Sequence, residues 1–285
     1  MARRRTPDAP RCSGPTVRRV TDTGDRVWSD SMPEAYERFL APVLFEPFAA
    51  DLARRVAAAA PASVLELAAG TGVLTRALAE VTGAAVTATD LAPPMVEEGA
   101  RRAPGATWRQ ADALSLPFDD DGFDAVACQF GVMFFPDRRA ALAEAHRVVR
   151  PGGRLVLSTW DVADANDFAA ALEAGIRAAF PDDPPTFVVA VPHGYADPDE
   201  ITADVTAAGF EAVAIEAVSL RATAPSAASV ARGFLTGTPL RGLVEGRADV
   251  DETLAVVTSV MEERLGTGPV TGRMDAYVVE ATVPA

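Results

Sequence analysis

The chain has 285 residues, 49% of them hydrophobic and 23% charged, which excludes wholesale disorder and allows one large α/β domain with an insertion, or two small domains. With 26 basic residues against 40 acidic ones, the net charge of −14 should repel nucleic acid and anionic lipid and points to a small-molecule partner. The two cysteines, Cys12 and Cys128, lie too far apart for a disulfide framework and suit a reducing cytosol, and no apolar run is long enough to span a bilayer.

The opening "MARRRTPDAPRCSGPTVRR" holds six arginines and one acid. Residues 1–20 read as an unstructured basic tail or an upstream start rather than a nucleic-acid arm, without the apolar region of a signal peptide. Helical spacing of apolar residues then runs from Trp28 to Ala60, punctuated by Pro42 and Pro47, and residues 21–60 are expected to form a helical lid. Strands are predicted at Val64–Ala68, Ala85–Thr89, Thr107–Gln110, Asp124–Cys128 and Arg154–Thr159. Helices between them centre on Leu74–Val81, Pro94–Arg102 and Arg139–Val149, the last closed by the turn "RPGG" at Arg150–Gly153. This alternation implies a doubly wound parallel sheet of Rossmann-like type. Helices at Asn166–Ala179 and Asp199–Ala208, a strand at Ala212–Leu220 and a last strand at Asp275–Val283 follow. The core thus spans 61–220 and 275–285, with a helical insertion at 221–274 that joins the N-terminal helices as a lid.

The stretch "VLELAAGTGVLTRAL" is a strand, a glycine turn and a helix. In a doubly wound sheet the ligand sits beyond the carboxyl ends of the strands, so Gly70 and Gly72 lie where a ligand or a close packing contact leaves no room for a Cβ. A dinucleotide site would carry a third glycine where Thr75 stands, and Glu66 just before the turn would repel a pyrophosphate. A carboxylate there suits a ligand bearing ammonium or sulfonium. Asp90, 18 residues after Gly72, ends the second strand, where it can accept ribose hydroxyls or cap the next helix. Asp112 follows the third strand, placed to accept from an exocyclic amine or to shape a turn.

"VLELAAGTG", "VTATDLAPPMVEEG", "QADALSLPFDDDGFDAVACQFGVMFFPD" and "EAHRVVRPGGRLVLSTWD" resemble, in order, the motifs of class I S-adenosylmethionine (SAM)-dependent methyltransferases, in the branch of the ubiquinone/menaquinone-biosynthesis enzymes. The resemblance covers about Val64 to Asp161. It implies a seven-stranded sheet with an antiparallel last strand, SAM as cofactor with S-adenosylhomocysteine as product, and a small-molecule methyl acceptor. It implies that Glu66, Ala68, Gly70, Thr71 and Gly72 line the methionine end, that Asp90 holds the ribose, and that Leu91 and Met95 pack against adenosine. Asp112 and the backbone of Ala113 would read adenine, and Gln129 and Phe130 would lie near the reacting methyl. Glu66 stands where many relatives have Asp, and Ala92 where they carry a Ser or Asn cap.

No metal is expected: "DDDG" at Asp119–Gly122 reads as a solvated turn. The substrate-side candidates are His193 and Tyr195 in "VPHGYADPD" and Tyr36 in the lid, each with a packing role as its alternative. His146, on a helix, reads as structural. The expected activity is methyl transfer in the cytoplasm to O, N or C of an apolar or aromatic metabolite, without membrane insertion and with oligomeric state open. Its rivals are a SAM-binding regulatory module and a nicotinamide-dependent oxidoreductase.

Overall fold

The computed structural model describes residues 32–285; the basic stretch 1–20, Cys12 and the start of the expected lid lie outside the described residues. The described chain begins with α1 (Met32–Ala35), a π-helical segment (Tyr36–Phe45) and α2 (Glu46–Ala57). Pro42, inside the π-segment, has no N–H to give an α-helical ladder, and the wider turn shows at Glu46, whose N–H donates to the Ala41 carbonyl five residues back.

Seven strands follow in one sheet of order β3-β2-β1-β4-β5-β7-β6. They are β1 (Ser63–Glu66), β2 (Ala85–Asp90), β3 (Thr107–Gln110), β4 (Phe123–Gln129), β5 (Val149–Trp160), β6 (Glu211–Ala224) and β7 (Val270–Thr282). The first five are parallel, and β7 runs antiparallel to both β5 and β6. The central strands β1, β4 and the second half of β5 are buried almost throughout, as their unbroken apolar runs require, whereas the edge strand β3 is largely exposed. Helices α3 (Val73–Val81), α4 (Pro93–Arg102) and α5 (Arg138–Val148) cross between the parallel strands; the order reverses between β1 and β4, which places the switch point beside the glycine turn.

The second half differs from expectation in extent. β6 runs on to Ala224 and β7 begins at Val270, because in–out alternation continues through "RATA" and "VTGRM", so the insertion proper is 225–269. The "RPGG" turn also does more than cap α5: Gly152 N–H donates to the Val283 carbonyl and Val283 N–H to Gly153, tying down the end of β7. After β5 come α6 (Asp167–Ala179), α7 (Phe187–Ala190) and α8 (Pro198–Ala207); the insertion carries α9 (Ala227–Gly237), α10 (Leu240–Glu245) and α11 (Val250–Leu265). The π-segment lies directly on α9, where a Cβ on Gly233 would stand 2.6 Å from Leu40 and one on Gly237 2.7 Å from the Tyr36 backbone. Leu40, Val43 and Phe48 of the lid, Leu65 and Val126 of the sheet, and Val230, Leu235 and Met261 of the insertion belong to one continuous core.

Candidate active site

Glu66 is the last residue of β1, 1% exposed, and its Oε2 accepts from Thr75 Oγ1 at 2.6 Å. Burial pushes its pKa up to about 8, against the Thr75 hydrogen bond and with the nearby Asp90 charge adding to the rise. The turn that follows is pinned to β2: Ala69 N–H donates to the Thr89 carbonyl at 2.9 Å and Gly70 N–H to Asp90 Oδ2 at 2.8 Å. Asp90 Oδ1 accepts from Ala92 N–H at 2.9 Å, and α4 starts on Pro93 and Pro94, which have no N–H to cap. Burial raises the pKa of Asp90, yet the residue keeps accessible surface.

Gly70 has φ +56°, and a Cβ built on it would meet no heavy atom of the described residues within 4 Å, leaving room there for a ligand. Gly72 has a different reason: with φ +87°, its Cβ would stand 3.0 Å from the Trp108 ring, so protein fills that space. Of the five non-glycine residues in the left-handed region among the described residues, two stand at this corner, Ala68 at φ +51° and Phe130 at φ +52°. Such backbone costs on the order of 1–2 kcal/mol each and collects at ligand-binding turns. Both lie at the tips of β1 and β4, the two strands flanking the switch point.

The lid closes over this corner through adjacent side chains. The Glu37 carboxylate, its side chain 7% exposed, accepts from Thr71 Oγ1 of the glycine turn and from Arg76 of α3 at 3.4 Å, and forms an ion pair with Arg102 of α4 at 3.2 Å. Burial, then the Glu37 and Asp90 charges, hold the Tyr36 phenol well above its usual pKa, so it stays protonated. Tyr36 stacks on Phe45 with centroids 4.8 Å apart. Phe45 approaches Phe130 at 6.0 Å and Trp160 at 6.1 Å; Phe130 and Trp160 lie face to face, 3.7 Å apart and 3° from parallel. Gln129, at the tip of β4, donates from Nε2 to the Phe45 carbonyl at 2.7 Å and so fastens the lid to the sheet.

The sequence candidates thus fall into groups. Glu66, Ala68, Gly70, Thr71, Gly72 and Asp90 gather at the tips of β1 and β2, with Gln129 and Phe130 beside them at the tip of β4. Leu91 is 56% exposed, an apolar face next to Asp90, whereas Met95 is buried in the fold at 3%. Asp112 is exposed one strand further out; its Oδ1 accepts from Leu114 N–H at 2.9 Å, and Ala113 is half-buried beside it. His193 reaches the tip of β5, where its Nδ1 lies 2.6 Å from the Asp161 carbonyl. Tyr195 is a correction: it is 1% exposed, its hydroxyl donates to Asp204 at 3.1 Å and Arg138 covers its ring, so packing consumes it and it faces no substrate. His146 packs against Phe210 away from these tips. Among the described residues, no group of three or more His, Cys, Asp or Glu is placed to hold a metal ion, and no helix is long and apolar enough to cross a membrane. Sequence reasoning missed Glu37 and Trp160; Trp160 directly ends an apolar strand, but nothing local marks Glu37, whose partners are 34 and 39 residues away and beyond.

A methyltransferase-domain family matches residues 65–157. A demethylmenaquinone methyltransferase of Clavibacter sepedonicus is 47% identical over 107 residues, 36% of this chain and 43% of that protein. The chain therefore spans less than half the length of this relative and of a demethylmenaquinone methyltransferase of Thermus thermophilus. A demethylmenaquinone methyltransferase of Corynebacterium urealyticum is 34% identical over 169 residues, covering 56% of this chain and 72% of that protein. The fold is also that of the YcgJ protein from Bacillus subtilis, with a TM-score of 0.56, 20% identity, and coverage of 84% of this chain and 99% of that one.

Proposed function

The chain belongs to the class I SAM-dependent methyltransferases, in the branch that holds the quinone-biosynthesis enzymes, and from that premise we propose that it moves a methyl group from SAM to O, N or C of a small apolar or aromatic metabolite. The observation that carries this reading is the corner built by Glu66, Asp90 and the open side of Gly70. The donor set fits SAM: two carboxylates and backbone carbonyls suit a cation carrying ribose hydroxyls, and a pyrophosphate would face Glu66. Thr71 and Ala68 with the glycine turn would hold the methionine end, Asp90 the ribose, Leu91 the adenine face, and Asp112 with Ala113 the adenine edge.

SAM, when bound, supplies a methyl group already activated on a sulfonium. The protein's part is alignment and exclusion of water. The lid residues Tyr36 and Phe45 cover the corner, and Phe130 and Trp160 continue an aromatic wall from β4 to β5. Phe134, 41% exposed, and Val162, 50% exposed, follow the tips of β4 and β5 in the chain. Such a surface suits a flat apolar acceptor and supports the aromatic class. The described cysteine, Cys128, is a buried free thiol, in keeping with a cytoplasmic setting.

The test is calorimetric titration with SAM and with NADH, followed by incubation with methyl-labelled SAM and demethylmenaquinol. SAM binding that Asp90→Ala weakens by tenfold or more, with label passing to the quinol, is the expected result. Tight SAM binding without transfer to the quinol or to any component of a metabolite extract would replace catalysis with a binding role. NADH binding in place of SAM would defeat the cofactor assignment.

A further inference from the structure

The tips of β1, β4 and β5 stand side by side in the sheet, so an acceptor that meets a methyl group held at β1 and β4 lies over β5. His193 stands there. Its ring is 6.2 Å from that of Trp160, the last residue of β5, and Trp160 is stacked on Phe130 at the tip of β4. The backbone carbonyl of Asp161, which follows Trp160, lies 2.6 Å from His193 Nδ1. A carbonyl oxygen only accepts, so Nδ1 carries the ring's proton and Nε2 is left with its lone pair. The same carbonyl is held by Asn166 Nδ2 at 3.3 Å, and Asn166 also bridges to β7 through the Asp275 backbone, so the ring's anchor is rigid. No hydrogen bond from a described residue engages Nε2, and His193 keeps accessible surface.

Resting on the methyltransferase reading, we propose that His193 Nε2 is the general base that takes the proton from the acceptor's hydroxyl or amine. On an oxygen or nitrogen acceptor that atom, and on a quinol the ring carbon beside the ionising hydroxyl, forms its bond to the methyl carbon as the carbon–sulfur bond breaks, the electron pair of that bond staying on sulfur. The ring carbon then releases its hydrogen to solvent as a proton and the ring regains its aromaticity. The acceptor's proton passes to Nε2, giving an imidazolium with Nδ1–H still on the Asp161 carbonyl, and solvent then removes it. Burial lowers the pKa of His193, against the pull of Asp161, which keeps the ring neutral and able to accept at neutral pH. The Asp161 carboxylate is the charged group that faces it from β5; Tyr277 of β7 faces that carboxylate in turn. The other phenols near the site are poor alternatives: Tyr36 stays protonated, and Tyr195 is committed to Asp204.

Two histidines in the described chain make the test direct, because His146→Gln assigns the remaining signal. Nitrogen-15 spectra of the whole protein should show His193 protonated at Nδ1 and bare at Nε2, with a titration midpoint below that of a free imidazole. A His193 ring protonated at Nε2 overturns the proposal whether or not any acceptor is known. With demethylmenaquinol as acceptor, His193→Gln should lower kcat about 100-fold or more and remove the acid limb of the pH profile, with SAM affinity within twofold of wild type. A variant that keeps kcat within twofold overturns the assignment. Wild-type protein that binds SAM and leaves the quinol unmethylated tells against the acceptor reading, and His193 then stands or falls on its tautomer.

Discussion

Glu66 and Asp90 are two carboxylates at neighbouring strand tips, both raised in pKa by burial, and neither has a basic side chain as its hydrogen-bond partner. An acid raised in the folded state binds a proton that the unfolded chain has released. The stability that Glu66 contributes is therefore full below its ordinary value of 4.5 and is lost as pH rises through about 8. A ligand carrying ammonium and sulfonium groups prefers the carboxylate, so binding should expel that proton within this window. Titration of the protein with SAM near neutral pH, in buffers of different ionisation enthalpy, should reveal release of about one proton. Glu66→Gln should bind more weakly and release none. A wild-type binding heat that does not vary with buffer would remove the role given to Glu66.

At the scale of elements, the π-segment is the part packed against the glycine turn, and it is proposed to govern access. Glu37 is buried beneath three donors from the glycine turn, α3 and α4, so the elements that form the SAM corner also hold the lid shut. Glu37→Gln keeps a hydrogen-bonding oxygen for Thr71 but removes the charge that holds Arg76 and Arg102. The open lid should then be more populated, and stopped-flow dissociation of SAM should quicken by roughly tenfold, equivalent to about 1.4 kcal/mol of lost closure. An unchanged dissociation rate would mean that the ligand leaves by another route. Sequence reading reached the strands and helices from Val64 to Trp160 because each is marked locally, by an apolar run, a glycine turn or a proline at a helix start. It also placed Glu66 and Asp90 at strand tips, since chain order along a parallel sheet carries that information. The latch was illegible because Glu37 looks like one more polar residue in a helical stretch, and its partners meet it only through the fold. Tyr195 was misread for the same reason: "HGY" reads as a loop open to substrate, and the Asp204 and Arg138 that bury it come from α8 and α5.

For the whole molecule, the question is whether lid and insertion are a second domain or an extension of the sheet. β7 pairs with β5 from Ala276 to Thr282, and from Val270 to Asp275 it continues past β5, paired with β6 alone. The helices of the insertion hang on that extension, and their apolar faces enter the core that also contains the central strands. The two parts share that core, so loss of one strips packing partners from the other. Unfolding should be a single calorimetric transition with calorimetric and van't Hoff enthalpies in agreement. Saturation with SAM to about 100 times its dissociation constant adds about 2.7 kcal/mol. At about 2–4 °C per kcal/mol, that should move the one peak upward by roughly 5–10 °C without dividing it. Two peaks, of which only one responds to SAM, would show that the insertion folds by itself and that the N-terminal lid meets the cofactor corner through the Glu37 and Gln129 contacts alone.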